Sequence, residues 1–162
     1  IPVMMLRLVL IALCFLPLVS RAESDLPFNQ QVVFYNSLDE GRKACYQFID
    51  LLDNLQMEEA AKLFFKDADT VMKVVKAYGD ISKIRDKLGE SVETVSLGEF
   101  SFSDDVRIIG LLHTYDEGFG FFEFQFTRYE GQWYMNNTNY LCRGKLSELI
   151  EAVPSRYIQP IK

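Results

Sequence analysis

The chain of 162 residues holds one histidine, one tryptophan and three cysteines. A single histidine leaves one imidazole, His113, for proton transfer near neutral pH. No Cys-x-x-Cys pair is present, which removes the common zinc and thioredoxin-type signatures. No serine sits in a nucleophile elbow. The run Gly118-Phe119-Gly120 opens a strand pattern instead of a helix and no Lys-Ser/Thr pair follows it, so it is not a phosphate loop. Basic excess is also lacking: the formal net charge is −6. That balance argues against nucleic acid, which needs a basic surface, and against attraction to anionic lipid. The acidic pairs Asp104-Asp105 and Asp116-Glu117 fall at turns, where Asp is favoured for backbone reasons, and carry no metal reading. Internal repeats and low-complexity stretches are absent, and nothing in the sequence implies a cofactor.

What is present is apolar and aromatic. Hydrophobic residues make up 49% and aromatics 14% of the chain, enough for a real core. The first 22 residues differ from the rest. Arg7 precedes an apolar run over residues 8–19, and Ser20-Arg21-Ala22 offers small residues for cleavage before Glu23. This reads as a signal peptide, with an uncleaved anchor or lipidation at Cys14 as alternatives; Leu13 fits lipidation poorly. The run is short of the ~20 residues of a membrane span. The expectation is an exported protein, periplasmic or secreted, with no stable span after cleavage. Residues 23–36 then form an arm and 37–162 one folded domain. Cleavage would leave Cys45 and Cys142, which in an oxidising compartment either pair or remain free, Cys45 as a buried thiol.

Ser37 and Glu40 form a capping box, predicting a helix to about residue 55 with Cys45, Phe48, Ile49, Leu52 and Leu55 inward. A short helix begins at Glu58-Glu59. A third runs from near Ala68 to Tyr78 with Val71, Val74, Val75 and Tyr78 inward, and Ile81, Ile84 and Leu88 add a further turn or two. From Glu93 the period is two. Four strands in sequence are predicted, with a phase slip near Gly98-Glu99 that suggests a bulge, and turns at Asp104-Asp105, Asp116-Glu117-Gly118 and Glu130-Gly131. A short amphipathic helix over residues 145–153 stops at Pro154. The fold class is α+β: three N-terminal helices on a curved four-stranded antiparallel meander, with a short C-terminal helix.

If Asp116-Glu117-Gly118 is a three-residue loop, Ile108 and Leu112 share a face with Phe122, Phe124 and Phe126. The other face then holds Arg107, Ile109, Leu111, His113, Tyr115, Glu123 and Gln125. If Glu130-Gly131 is a two-residue loop, Trp133, Met135, Asn137 and Asn139 join the phenylalanine face. This register makes Phe122, Phe124, Trp133, Asn137 and Asn139 the candidate ligand-binding set. His113, with Glu123 or Asp116, is the weaker catalytic alternative. Asn136-Asn137-Thr138 is a glycosylation sequon, meaningful only in a eukaryotic secretory route.

Two segments carry a family resemblance. Residues 48–64, FIDLLDNLQMEEAAKLF, are similar to a break between opening helices followed by a short helix ending in an aromatic. Residues 126–134, FTRYEGQWY, are similar to a hairpin in which Gly precedes Trp by two residues. With the element order, covering about residues 37–141, the chain resembles the nuclear transport factor 2-like (cystatin-like cone) superfamily, and within it small exported bacterial members of unknown function. It departs from better-known members by lacking a small hairpin between the second and third helices. The resemblance implies a cone-shaped α+β fold. It leaves activity open, because the family spans isomerases, dehydratases, ligand binders and interaction modules. The functional expectation is a non-enzymatic domain binding a small apolar ligand or a protein partner, with a homodimer through the sheet. A small acid–base isomerase or lyase and a ligand-free structural envelope protein are the alternatives.

Overall fold

Ser37 starts the first long helix as its pattern predicts. In the computed structural model, which describes residues 27–79 and 81–157, the Ser37 hydroxyl accepts from the Glu40 N–H at 3.2 Å, and the Glu40 carboxylate accepts from the Asn36 N–H at 3.0 Å. The predicted signal peptide and the start of the arm lie outside the described residues. Among the described residues, five helices precede the sheet: α1 (Phe28–Gln31), α2 (Leu38–Asp53), α3 (Met57–Lys62), α4 (Ala68–Ala77) and α5 (Ile81–Leu88). The strands β1 (Ser91–Ser103), β2 (Val106–Tyr115), β3 (Gly118–Tyr129) and β4 (Gln132–Arg143) form one antiparallel meander in sequential order. Helix α6 (Leu146–Ala152) and a 3₁₀ turn (Ser155–Tyr157) close the described chain. This is the expected α+β architecture. The arm after α1 is tied down by two isolated bridges, Val32 to Phe65 and Tyr35 to Trp133.

Helix α2 buries Cys45, Phe48, Ile49 and Leu52. Leu55 does not join them. The helix ends at Asp53, and Leu55 takes a left-handed φ of 59° with its side chain half exposed. Asp67 caps α4, accepting from the Thr70 N–H at 2.9 Å, and Val71, Val74 and Tyr78 are buried as predicted.

The β2–β3 connection decides which side chains face the helices. It is a two-residue turn, because Tyr115 pairs with Gly118. The three-residue loop expected there is wrong by one position, and the error reverses a face. The cause is a non-local contact. The N–H groups of Asp116 and Glu117 donate to the carbonyls of Glu90 and Leu88 at 3.0 and 2.8 Å, which pins the turn beneath the end of α5. Gly118 serves close approach and not a positive φ: a Cβ there would lie 2.4 Å from Leu88 and 2.7 Å from the Arg143 carbonyl. The β3–β4 turn is as expected, with Glu130 and Gly131 both at positive φ.

Ile109, Leu111, His113 and Tyr115 therefore share the helix-facing side with Phe122, Phe124 and Phe126, while Ile108 and Leu112 face outward. A second break in period occurs in β4. The pairing steps from Phe126–Met135 to Gln125–Asn137, so Asn136 is an extra, bulged residue. Trp133 and Met135 point inward as predicted. Beyond the bulge the alternation flips: Thr138, Tyr140 and Cys142 are inward, and Asn137 and Asn139 are outward.

The inner layer is filled by the chain's own rings. Phe48 of α2 meets Phe124 at 5.6 Å and Phe64 at 5.5 Å between ring centroids, and Phe64 meets Phe126 at 6.2 Å. Phe48, Phe64, Phe122, Phe124 and Phe126 are all essentially inaccessible to solvent. At about 1.5–3 kcal/mol per fully buried large side chain, this layer is the principal source of stability. On the outer face, α6 buries Leu149. The Tyr157 ring lies over Gly110, 4.7 Å from the Phe100 ring and 5.3 Å from Phe121. The chain's own C-terminal elements thus cover part of the outer sheet face, through which a homodimer is one expectation from the sequence.

Candidate functional site

One polar constellation interrupts the aromatic floor, where α2 ends and β1 begins. Asp53 is the last residue of α2 and Ser91 the first of β1. Thr94 pairs with His113, and Tyr115 lies two residues beyond on the same face. The His113 Nε2 lies 2.8 Å from the Asp53 carboxylate and 2.9 Å from the Ser91 hydroxyl. Its Nδ1 lies 2.6 Å from the Thr94 hydroxyl. Tyr115 donates to the other Asp53 oxygen at 3.3 Å, and its ring packs edge-on against the imidazole at 4.6 Å. His113 is only 2% exposed, whereas Ser91 reaches solvent.

The electrostatics follow from these partners. Partial burial pushes the Asp53 carboxyl upward. Hydrogen bonds from His113, Ser91 and Tyr115 and the attraction of His113 more than offset this, so the group is held below the usual carboxylate range. A nitrogen facing a carboxylate carries a proton, so the His113 Nε2–H donates to Asp53. This arrangement is not a nucleophile triad. In a triad the carboxylate and the serine engage opposite ring nitrogens. Here both meet Nε2, which has no lone pair to take the Ser91 proton.

The sequence-predicted residues do not assemble into either expected site. His113 lies on the helix-facing side, opposite to its predicted face, because of the turn length. Glu123 is on the outer face, where its carboxylate accepts from Tyr157 at 2.8 Å and from Asn139 at 3.4 Å and pairs with Arg156. The sheet therefore separates Glu123 from His113. Asp116 is in the β2–β3 turn and is not a partner of the ring. Of the ligand set, Phe122 and Phe124 are inside the packed layer. Trp133 lies near the opposite end of the sheet under the Arg107 guanidinium, 5.6 Å from the ring centroid. Asn137 and Asn139 are on the other face because the Asn136 bulge reverses them. The sequon is not presented either, since Thr138 is buried and the Asn136 Oδ1 is enclosed.

Cys45 and Cys142 are both free thiols. Cys142 pairs with Gly120, whereas Cys45 donates to the carbonyl of Gly41, which abuts Phe126 six residues farther along β3, about 20 Å away and beyond disulfide reach. Burial pushes the Cys142 thiol up to about 11 and raises Cys45 as well, so neither is an activated nucleophile.

Sequence reasoning missed Asp53, Ser91 and Thr94. One signal was available: Asp53 continues the buried stripe of Cys45 and Ile49 at helical spacing, which places a carboxylate on an apolar face. Ser91 and Thr94 gave none. Among the described residues, no group of three or more His, Cys, Asp or Glu side chains is placed to hold a metal ion, and no helix is long and apolar enough to cross a membrane. A comparison with protein-family models, curated proteins and solved structures finds no match.

Proposed function

We propose that this chain is a non-enzymatic binding domain, exported to a periplasmic or extracellular setting, that acts through its surface with a second copy as the partner of edge strand β1. The observation that carries this reading is the state of that strand. β1 is a 13-residue edge whose outer side has no neighbouring strand in the described sheet. Its three register shifts leave Val92, Leu97 and Phe102 without a partner on β2. Val92 and Phe102 are 60% and 69% exposed. They lie symmetrically about Leu97, so antiparallel pairing of two copies centred on Leu97 sets each Val92 opposite a Phe102, a favourable cross-strand pair. Bulges deter indiscriminate strand addition; a partner whose bulges fall at matching positions fits best, and a second copy has them. The interior argues for surface function, since the chain's own rings fill it and both His113 nitrogens are engaged.

A Leu97→Cys variant tests the reading. Facing strands place the two introduced thiols within disulfide reach, so a covalent dimer is expected under mild oxidation. A variant that stays monomeric while folded contradicts it. The acid–base reading retains one supporting observation, the Asp53–His113 pair beside exposed Ser91. Since His113 is the sole histidine, its modification by diethylpyrocarbonate in the native protein decides between the two. Rapid modification favours an open catalytic site, and protection favours the binding domain.

A further inference from the structure

The outer sheet face holds a second built feature, unrelated to edge pairing along β1. Gly110 of β2 stands opposite Glu123 of β3, and the missing side chain leaves a slot. A Cβ at Gly110 would fall 2.2 Å from the Tyr157 ring, so only glycine admits that ring. Phe100 and Phe121 flank the slot and meet the ring edge-on. At its end sits the Glu123 carboxylate, 7% exposed, held from the other side by Asn139. The Tyr157 hydroxyl donates to Glu123 at 2.8 Å, Arg156 pairs with the same oxygen, and the Arg156 guanidinium lies 5.1 Å from the centroid of the Tyr157 ring. Apolar walls, a glycine floor and a buried carboxylate together recognise a phenol and an adjacent cation.

The occupant sits on a short local turn. Residues Ser155–Tyr157 form one 3₁₀ turn, closed by the Tyr157 N–H to the Pro154 carbonyl at 3.0 Å. Arg156 Nε is buried with no hydrogen-bond partner, as is the Asn137 carbonyl oxygen on the same sheet face. An unpaired buried donor offsets part of the gain from the ion pair. The turn is therefore held mainly by side chains that another segment of like chemistry can replace.

We propose that the Gly110–Glu123 slot is a peptide-recognition site for an aromatic hydroxyl residue beside a cation, and that the chain's own Arg156–Tyr157 fills it as a latch in cis. A partner segment presenting the same pair binds by displacing the latch. The proposal does not depend on β1 pairing, and either can fail without the other.

The test uses the full chain with Tyr157→Ala and a fluorescein-labelled peptide of residues 154–162 as probe, read by anisotropy, with circular dichroism confirming the fold. The peptide is expected to bind Tyr157→Ala saturably and wild type at least about tenfold more weakly, because the slot is filled in cis. A peptide with phenylalanine at the tyrosine position loses the bond to Glu123 and binds about tenfold more weakly than the parent. Adding Gly110→Ala to the Tyr157→Ala chain abolishes binding. Equal binding to wild type and Tyr157→Ala overturns the proposal, as does no binding to folded Tyr157→Ala. If the Gly110 variant fails to fold, the phenylalanine peptide alone decides, and parent-like affinity for it overturns the recognition claim.

Discussion

Replacing Asp53 with alanine tests whether the His113 constellation is structural. The substitution removes a charge-assisted hydrogen bond to Nε2, made at 2.8 Å and worth about 1.5–3 kcal/mol. The Ser91 hydroxyl, 2.9 Å from the same nitrogen, remains as an acceptor, so the imidazole N–H is not left unpaired. The Tyr115 bond at 3.3 Å is long and adds little. The expected loss is therefore about 1.5–3 kcal/mol. For a folded unit of this size, about 3–5 °C of melting temperature accompanies each kcal/mol, so a fall of about 5–15 °C at pH 7 is expected by circular dichroism. Asp53→Asn keeps the volume and one acceptor and is expected to lose about 1–2 kcal/mol. The pH dependence has a fixed sign. The Asp53 carboxyl is held below its usual range, so its contribution is complete above the unfolded carboxylate value of about 4 and is lost as pH falls through the lower folded value. The gap between wild type and Asp53→Ala therefore narrows below about pH 4. A loss within about 0.5 kcal/mol at pH 7, the span of ordinary surface substitutions, refutes the reasoning, as does a gap that does not depend on pH.

Other consequences are as direct. Gly41→Ala places a Cβ 2.7 Å from the Phe126 ring, so urea unfolding is expected to show a loss of about 1–3 kcal/mol from overpacking; a neutral result contradicts the α2–β3 packing. Alkylation followed by mass spectrometry is expected to label Cys45 and Cys142 only after unfolding, and a Cys45–Cys142 disulfide peptide contradicts their placement on separate parts of α2 and β4.

Much of the fold is legible from local chemistry. The Ser37–Glu40 box, the buried stripe of α2, the Asp67-initiated α4 and the Glu130-Gly131 hairpin all follow from residues adjacent in sequence. The site does not, because two one-residue events decide it. The β2–β3 turn is fixed by carbonyls of Leu88 and Glu90, 29 and 26 positions before the turn residues they bind, and nothing in Asp116-Glu117-Gly118 itself reveals that pinning. The Asn136 bulge reverses Asn137 and Asn139 in a strand whose composition is regular on either side. Each event moves every following side chain to the other face, so the element order survives while the candidate residues change places. The cover that Tyr157 gives the outer face is equally non-local; Gly110 in the middle of an apolar strand is its only trace in the sequence.

The central claim is that two copies meet along β1. Sedimentation equilibrium of wild type beside a Phe102→Lys variant tests it most directly. Phe102 is 69% exposed, so lysine there leaves the fold unchanged while placing a charge opposite Val92 of the second copy. The account predicts twice the chain mass for wild type at micromolar concentration and a single-chain mass for Phe102→Lys. A single-chain mass for wild type at every concentration, or a dimer that Phe102→Lys leaves intact, contradicts it.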